Sequence, residues 1–547
     1  ASLTERKAMS EFRPSRRQLL AAGGLLVVTP AGLVPEAFAQ AQLAASPKRG
    51  GVLTALIDPE PTALLSAVNV SGPTSFVSPK VHEGLLDYDF DLTPKPQLAT
   101  HWETSEDGLS YSFKLRQGVK WHDGRDFTAE DVAFSLLFLK AHHAHNRSTF
   151  ANLAEVRTPD PHTAIAVFSK PAPYFLTALI ASQAPIIPKH LFEGKDPITN
   201  PAHNNPVGTG PFVFKEWVRG SHILYERNPN YWDQPKPYVD RLIVRVVTDP
   251  AARAVALESG TADISGDNPV PLAEVSRFAK LPNLAVEEKG SAYSGDINQL
   301  VFNLDNPYLK ELKVRQAIAH AIDKKAYLDI VWYGFGEITN GPVVPALKQW
   351  AATDLPVYAF DPKRAEALLD EAGFKRGAGG IRFKLTNDYL PYGENFKRGS
   401  EFIKQALARI GIEVTIRGQD FASYIRRVYT NRDFDFANAW LSNYFDPTVG
   451  VQRLFWTQNI KKGTPFSNGA NYSNPEVDAL FEAAAVEPNV EKRRELLRKV
   501  QHLLVHDLPH YDLIAQKNLT VFNKRVKNHT VSANGLRANF ADVYIES

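Results

Sequence analysis

Side chains that could contact a polar solute concentrate in one stretch of the sequence, residues 434–450. A short apolar run there ends at Trp440 and is followed by a turn that contains Asn443, Tyr444 and Asp446. The indole and the phenol offer aromatic surface, the amide donates and accepts hydrogen bonds, and the carboxylate accepts them. Aromatic walls with a few polar groups are typical of small-molecule sites. The same residue types also form ordinary turns and cores, so both interpretations stay open for Asn443.

Motifs that would indicate catalysis are missing from the sequence. Gly208, Thr209 and Gly210 lie close together, but no third glycine follows in register and no Gly-Lys-Ser/Thr ending completes a phosphate loop. No Gly-x-Ser-x-Gly elbow occurs. Carboxylates are numerous, but the sequence does not reveal which of them would face each other across a glycosidic bond. We therefore expect no catalytic residues, and a binding protein rather than an enzyme.

Histidines raise the question of a metal site. His142, His143 and His145 cluster where a predicted helix ends, and three imidazoles so close in sequence could bind a metal. Metal ligands usually come from several elements, however, and an exposed helix C-terminus also favours histidine because of the helix dipole. His82 and Glu83 lack the second histidine of a zincin helix. The sequence has no cysteine, so thiolate centres and disulfides are excluded, and we expect neither a metal nor a cofactor.

The elements that would position these residues alternate between strands and helices. Apolar and polar side chains alternate with period two in two runs within residues 212–226, and residues 238–246 add a third run, which predicts one antiparallel-capable sheet. Residues 312–332 carry apolar side chains at helical spacing and are predicted as one helix. Residues 383–417 read as strand, helix and strand. This alternation predicts an α/β protein.

Length and charge restrict the class of partner. The chain has 547 residues, of which 44% are hydrophobic and 22% charged, as in a globular protein of two or three domains. It carries 62 lysines and arginines against 60 aspartates and glutamates; without residues 1–39, which hold five basic and three acidic residues, 57 of each sign remain. A net charge of about zero argues against a protein that binds nucleic acid electrostatically, although it does not exclude a local basic patch, and we expect no nucleic-acid partner.

The N-terminus has the features of an export signal. Arg16 and Arg17 form a twin-arginine pattern, residues 19–34 are apolar but interrupted by glycine and proline, and residues 37–39 supply a small-x-small cleavage site. Sixteen such residues fall short of the roughly twenty that span a bilayer. Because a lipid-anchoring cysteine is also absent, the pattern predicts a twin-arginine signal peptide at 1–39 and a soluble periplasmic protein.

Longer patterns resemble one family along almost the whole exported chain. The order G-T-G-P-F, W and N-P-N-Y-W-D within residues 208–233, the region 81–132 and the run 313–317 are similar to the extracytoplasmic solute-binding proteins of ABC importers, the peptide-, nickel- and opine-binding family 5. The resemblance implies a bilobal, type II-like periplasmic-binding-protein fold with an additional domain inserted in the first lobe. The implied segments are base-lobe parts at 48–88, 205–290 and 510–547, an extra domain at 89–204 and a second lobe at 291–509.

The resemblance also implies where a ligand would bind. In peptide-binding members an aspartate three residues after the tryptophan pairs with the ligand's α-ammonium, whereas this sequence has Asn443, which cannot neutralise that charge. The ligand therefore either lacks a free α-amine or uses a nearby acid, Asp446 or Asp58. Oligopeptide-binding members carry an arginine just ahead of the tryptophan, where Ala437 or Asn438 stands here. The candidate ligand contacts are Trp440, Asn443, Tyr444, Asp446, Asp58, Tyr293, Tyr511 and, for a carboxylate, Arg427.

The function that the resemblance implies is capture of a solute for import. We expect a monomeric, periplasmic substrate-binding component that closes its lobes over a peptide-like or opine-like small solute and delivers it to an inner-membrane ABC permease. A sugar or oligosaccharide ligand is an alternative within the same family. An exported periplasmic hydrolase is the alternative from another class, because the twin-arginine route also carries folded enzymes.

Overall fold

The computed structural model describes residues 46–290 and 292–546, and the signal peptide predicted at 1–39 lies outside them. Helices and strands alternate along these residues and form several sheets, so the predicted α/β class is confirmed. No helix in the described part of the chain has both the length and the hydrophobicity that crossing a bilayer requires.

The first sheet has seven strands and contains the first strand of the chain near its centre. Val52–Ile57 pairs in parallel with Arg241–Val246 on one side and with Ile264–Ser265 on the other. The three runs predicted within residues 212–246 form one edge of this sheet as consecutive antiparallel strands, which confirms that prediction. In spatial order the strands are Leu284–Glu287, Thr520–Asn523, Ile264–Ser265, Val52–Ile57, Arg241–Val246, His222–Arg227 and Phe212–Val218.

The second sheet has six strands and is more deeply buried. Every residue of Asp296–Phe302 and of Phe436–Ser442 is buried. Both faces of these two strands are covered, so burial does not alternate along them. The spatial order is Gly336–Ile338, His510–Gln516, Asp296–Phe302, Phe436–Ser442, Phe383–Tyr389 and Ile412–Arg417.

A four-stranded antiparallel sheet lies within residues 89–204, the range that the sequence analysis assigns to the extra domain. Helix Ala129–His142 packs on two of its strands. The helix begins where the backbone N–H of Thr128 donates to the Asp131 carboxylate at 3.0 Å. The strand order is Ala99–Thr104, Ser110–Leu115, Thr163–Phe168 and Leu153–Asp160, and two further pairs are Leu86–Tyr88 with Pro94–Pro96 and Val526–Lys527 with Tyr544–Ile545.

Helices connect the strands, and two of them replace one predicted helix. Residues 312–332 form Leu312–Ala321 and Lys324–Val331. The second helix starts separately because the Asp323 carboxylate accepts a hydrogen bond from the backbone N–H of Ala326 at 3.0 Å. The apolar spacing continues across the break, which is why the prediction of one helix is wrong. The other α-helices are Gly72–Val77, Ala129–His142, Asn146–Thr149, Lys189–Phe192, Pro250–Ser259, Val275–Phe278, Pro362–Glu371, Glu394–Arg409, Phe421–Ile425, Pro447–Gly450, Gln452–Phe455, Pro475–Val486 and Val490–Asp507.

Within the described residues, the chain crosses between the first and second sheets twice. One crossing follows Leu284–Glu287, and the other consists of residues 517–519, between His510–Gln516 and Thr520–Asn523. The last base-lobe segment predicted from the sequence begins at residue 510. In the structure, His510–Gln516 pairs within the second sheet, so the chain returns to the first sheet only after this strand.

The two crossings touch each other at a glycine. Gly290 has a φ of 50°, in the left-handed region that favours glycine. A Cβ at this position would lie 2.3 Å from the backbone oxygen of Asn518. A larger residue would therefore push the two crossing segments apart.

The segment 228–232, which carries part of the family resemblance, binds a buried carboxylate. The Tyr231 hydroxyl donates to Glu83 at 2.7 Å, and the Trp232 indole donates to it at 2.9 Å. The Thr209 hydroxyl adds a third hydrogen bond at 2.9 Å. Burial raises the pKa of Glu83 to about 7, and these donors only partly oppose the shift. The motif thus has a structural role here.

Replacing Glu83 with glutamine should change how stability depends on pH. The pKa of Glu83 is about 7 in the folded protein and ordinarily 4.5. Glu83 therefore contributes its full stability below about pH 4.5 and loses this contribution as the pH rises through about 7. Between about pH 5 and pH 8 the unsubstituted protein should lose a few degrees of melting temperature relative to Glu83→Gln. Thermal unfolding of both proteins across this range is the measurement, and a constant difference would contradict the expectation.

Candidate functional site

A cavity lies between the first and second sheets. Strand ends of the first sheet, one strand of the second sheet and the crossing at residues 517–519 all contribute to its walls. The N-terminal part of helix Gly72–Val77 and a segment near the C-terminus complete the lining. Its polar and aromatic lining residues include Asp58, Arg253, Asp267, Asn268, Tyr392, Trp440, Asn518, Thr520 and Arg537.

The first sheet brings an ion pair to one side of this cavity. Val52–Ile57 and Ile264–Ser265 are parallel neighbours, so the segments that follow them, with Asp58 and Asp267, leave the sheet at the same edge. The Asp58 carboxylate lies 3.1 Å from Nη1 of Arg253. Burial raises the pKa of Asp58, and the Arg253 charge opposes the rise. This wall therefore presents a carboxylate and a guanidinium side by side.

The second sheet contributes aromatic surface through Trp440, in strand Phe436–Ser442. The Trp440 and Tyr392 rings meet edge to face, with centroids 5.4 Å apart. The Tyr392 hydroxyl accepts a hydrogen bond from the backbone N–H of Gly72 at 3.3 Å, a contact between the two sides of the cavity. Trp440, Tyr392 and Gly72 also line an adjoining cavity. Trp440 thus lines two neighbouring cavities.

The adjoining cavity contains two arginines. Arg537 lines both cavities, whereas Arg453 lines only the adjoining one, and both side chains are buried. Arg453 donates to the backbone oxygens of Phe466 at 2.5 Å and Ser442 at 3.2 Å. Nη2 of Arg537 lies 3.8 Å from the Asp267 carboxylate. The second space is therefore richer in positive charge than the first.

A buried carboxylate lies close to Arg537. Asp296 accepts hydrogen bonds from the Ser442 hydroxyl at 2.5 Å and from the Asn518 amide at 2.6 Å. Burial raises the pKa of Asp296, and the Arg537 charge opposes the rise. Burial alone would lower the pKa of Arg537, but the negative charges of Asp267 and Asp296 outweigh it, so the pKa is raised. Arg537 is therefore a stable cation.

Lys80 holds the backbone on both sides of Arg537. Its ammonium donates to the backbone oxygens of Leu536 at 2.6 Å and Ala538 at 2.5 Å. It also lies 3.8 Å from the centroid of the Phe540 ring. Burial lowers the pKa of Lys80, and the Arg537 charge lowers it further. Lys80 therefore fixes the backbone from which the Arg537 side chain extends.

Two histidines of the cluster are buried, whereas His142 at the helix end is partly exposed, so the expectation of an exposed helix end is wrong for His143 and His145. His143 and His145, which follow helix Ala129–His142, are 0% and 3% exposed. The His145 ring lines the adjoining cavity, and its Nδ1 lies 2.8 Å from Oε1 of Gln183. Burial and then the Arg453 charge lower the pKa of His145 far below its ordinary value, so the ring is neutral near pH 7. Among the residues that the structure describes, no group of three potential ligands is placed to hold a metal ion.

Three of the contacts predicted from sequence line these cavities. Asp58 lines the cavity between the sheets, Tyr444 lines the adjoining one, and Trp440 lines both. Tyr293 lies behind Tyr444, with ring centroids 6.0 Å apart, and its hydroxyl donates to the backbone oxygen of Thr177 at 2.5 Å. Tyr293 therefore supports the lining without being part of it.

Asn443 and Asp446 follow Trp440 in sequence but make their contacts away from both cavities. The Asn443 amide accepts a hydrogen bond from the backbone N–H of Val344 at 2.7 Å and donates to the backbone oxygen of Pro342 at 3.0 Å. Asp446 forms a buried ion pair with Arg493, with an N–O distance of 2.7 Å. Both side chains thus hold the turn together.

Arg427 and Tyr511 also lie outside the two cavities. Nη1 of Arg427 donates to the Gln419 side chain at 2.7 Å. The Tyr511 hydroxyl donates to the backbone oxygen of Ala319 at 3.1 Å, and the Tyr511 ring lines a separate small cavity beside Lys324. The structure therefore separates these two candidates from Asp58, Trp440 and Tyr444.

Several lining residues are not singled out by the sequence analysis. Arg537 occurs in a segment without a recognisable motif, and it reaches the cavities because Lys80 anchors the neighbouring backbone from more than 450 residues away in sequence. Arg453 follows the 434–450 stretch directly, so a search for charges just beyond that stretch could have found it. No sequence pattern indicates the other lining residues, which are Arg253, Asp267, Asn268, Tyr392, Asn518 and Thr520.

Comparison with known proteins identifies the family. The profile of the family described as bacterial extracellular solute-binding proteins, family 5 Middle, matches residues 93–462. The chain is 30% identical to heme-binding protein A of Haemophilus influenzae over 84% of this chain and 86% of that protein. It is 28% identical to the dipeptide-binding protein of Escherichia coli over 82% of this chain and 86% of that protein. Its fold matches the oligopeptide-binding protein AppA of Bacillus subtilis, solved with a nonapeptide, with a TM-score of 0.83 at 24% identity over 92% of this chain and 100% of that chain. The bilobal solute-binding fold is thereby confirmed, and the chain belongs to family 5 of the bacterial extracellular solute-binding proteins.

Proposed function

We propose that the protein is the periplasmic substrate-binding component of an ABC importer and captures a peptide-like or opine-like solute in the cavity between its two sheets. The observation that carries the proposal is the origin of the cavity walls, which come from both sheets and from the crossing at residues 517–519. Ligand sites lie preferentially at such interfaces. Similarity to the dipeptide-binding protein of Escherichia coli supports this ligand class.

The lining suits a solute that carries charges as well as hydrogen-bonding groups. Asp58 with Arg253, and Asp267 with Arg537, place both signs of charge along the cavity. Trp440 adds aromatic surface for the apolar part of a solute. A neutral sugar could not complete the interactions of these partly buried charges, and this disfavours it relative to a zwitterion.

The protein would capture the solute because the closed arrangement of its lobes binds the solute more tightly than the open arrangement does. Asp58 belongs to the first sheet's side and Trp440 to the second sheet, so a solute that contacts both gains free energy only when the two sheets are close. The short crossings that meet at Gly290 and Asn518 provide the connection about which the lobes would rotate. The permease would accept the closed, loaded form.

Delivery to the permease requires export of the protein. The signal predicted at residues 1–39 would carry the folded chain through the twin-arginine route, and the remainder would act as a soluble monomer in the periplasm. Since the family consists of binding proteins, the solute would leave the site chemically unchanged.

Solute recovery and titration test the proposal together. Mass spectrometry would identify whatever the purified protein releases on denaturation, and calorimetry would then measure binding to the refolded protein. We expect one peptide-like or opine-like molecule per chain, bound and released intact, and a more compact scattering profile when it is bound. Chemical turnover of the solute, or preference for an oligosaccharide such as maltotriose, would contradict the proposal.

A further inference from the structure

We infer that the solute carries a carboxylate and that Arg537 and Arg453 bind this carboxylate in the adjoining cavity. The inference rests on the proposed function, because it concerns the same site. It specifies one chemical group of the solute and leaves the rest of the molecule open.

The first observation is the free edge of the Arg537 guanidinium. The side chain is 7% exposed and lines both cavities. Within the described residues, neither its Nε nor its Nη2 has a hydrogen-bond acceptor. These two N–H groups point in parallel from one edge of the planar guanidinium, which is the arrangement that a carboxylate accepts with both oxygens. Asp267, at 3.8 Å from Nη2, is beyond hydrogen-bond distance.

The second observation is the isolation of Arg453. Its two terminal nitrogens donate to backbone oxygens, while its Nε has no acceptor among the described residues. Burial lowers the pKa of Arg453, and the side chains that oppose this shift are Tyr444 and Tyr429 rather than a carboxylate. A buried cation without a counter-charge costs free energy until an anion pairs with it. A bound carboxylate would supply that counter-charge.

In the adjoining cavity, nearby carboxylates offset the charge of Arg537, whereas none among the described residues offsets the charge of Arg453. Asp267 and Asp296 offset the charge of Arg537. His145, beside Arg453, is neutral because burial lowers its pKa. The balance in this space therefore favours an anionic group over a neutral or cationic one.

Arg537 is also held in position before a solute arrives. Lys80 binds the backbone on either side of it, and its neighbours Leu536 and Phe540 belong to the hydrophobic core beside the first sheet. A guanidinium that is fixed in this way loses little conformational freedom when it binds an anion. Asn443, by contrast, uses its amide for backbone contacts and offers no charge to an ammonium.

Matched acid and amide ligands test the inference. Tri-alanine and an N-(1-carboxyethyl) amino acid would be titrated into the refolded protein as free acids and as amides, with maltotriose as the neutral solute. We expect the acid of at least one pair to bind about 10- to 100-fold more tightly than its amide, because the amide cannot form charge-assisted hydrogen bonds. In Arg537→Gln the affinity for the acid should fall by about the same factor while the affinity for the amide stays unchanged.

Arg427→Gln is the matched control, since this arginine lies outside both cavities, and it should keep the preference for the acid. Arg537→Lys keeps the charge without the paired N–H groups and should keep only part of the preference. Melting temperatures without solute show whether each variant is folded, and Arg453→Gln provides an independent test if Arg537→Gln is not.

Two kinds of failure are distinguishable. Equal binding of acid and amide, or an unchanged preference in folded Arg537→Gln, would overturn the carboxylate inference while the proposed function would still stand. Binding of maltotriose alone would contradict both. If no acid, amide or sugar binds and denaturation releases no solute, the proposed function fails and the inference fails with it.

Discussion

Asparagine in place of Asp446 should lower the free energy of unfolding by about 3–5 kcal/mol. The Asp446 and Arg493 side chains are each 3% exposed, and their two N–O distances are 2.7 and 2.8 Å. The amide has nearly the same shape as the carboxylate but cannot neutralise Arg493, so the variant would bury a cation without its counter-charge. Denaturant or thermal unfolding in the absence of solute measures the effect.

An exposed ion pair provides the control for this experiment. Asp354 pairs with Arg498 at the surface, and Asp354→Asn should leave stability unchanged within the precision of the measurement. Adding Arg493→Met to Asp446→Asn should restore much of the lost stability, because it removes the unpaired charge. If Asp446→Asn unfolds under the same conditions as the control, the ion pair does not stabilise the fold.

Alanine in place of Trp440 should weaken solute binding by about 100- to 1,000-fold. The indole separates the two cavities, meets Tyr392 edge to face, and its ring centroid lies 5.7 Å from the guanidinium carbon of Arg537. Removing it would merge the two spaces and admit water beside the arginine. Large aromatic side chains in enclosed pockets usually contribute most of the binding free energy. Calorimetric titration with the solute that binds the native protein most tightly is the measurement.

Two further variants show whether the effect is specific to this position. Trp440→Phe retains an aromatic ring and should bind with intermediate affinity. Tyr511→Phe removes the hydroxyl of an aromatic residue in a different cavity and should bind like the native protein. Native affinity in Trp440→Ala would mean that the solute binds elsewhere.

The parts of the fold that the sequence predicts are those where side-chain pattern and burial agree. In strand His222–Arg227 of the first sheet, Ile223 and Tyr225 are buried, whereas Leu224 and Glu226 are partly exposed. Burial therefore alternates with every second residue, as the sequence pattern predicts. Strand Phe436–Ser442 is buried throughout and offers no such contrast. The sequence pattern does not reveal the helix break at Asp323. Apolar side chains keep helical spacing across the break, while one capping hydrogen bond starts a new helix there.

The site is less predictable than the fold because its residues meet through long-range contacts. Trp440 follows from a local pattern and from the family resemblance. The contacts of Asn443 depend on Pro342 and Val344, about a hundred residues earlier in the chain, and the sequence does not reveal that these residues occupy its amide. Arg537 belongs to the site only because distant residues fix its backbone.

The crossing at residues 517–519 joins the sheets and also lines the solute cavity through Asn518. Its backbone is tied to the first sheet's side by the N–H of Leu519, which donates to the Asn268 side chain at 2.8 Å. Under the proposed function, this tripeptide would link solute binding to lobe orientation. An orientation that binds a solute about tenfold better would gain population by the same factor at saturation. A substitution at Lys517 could then alter affinity by shifting that equilibrium, although its side chain does not line the cavity.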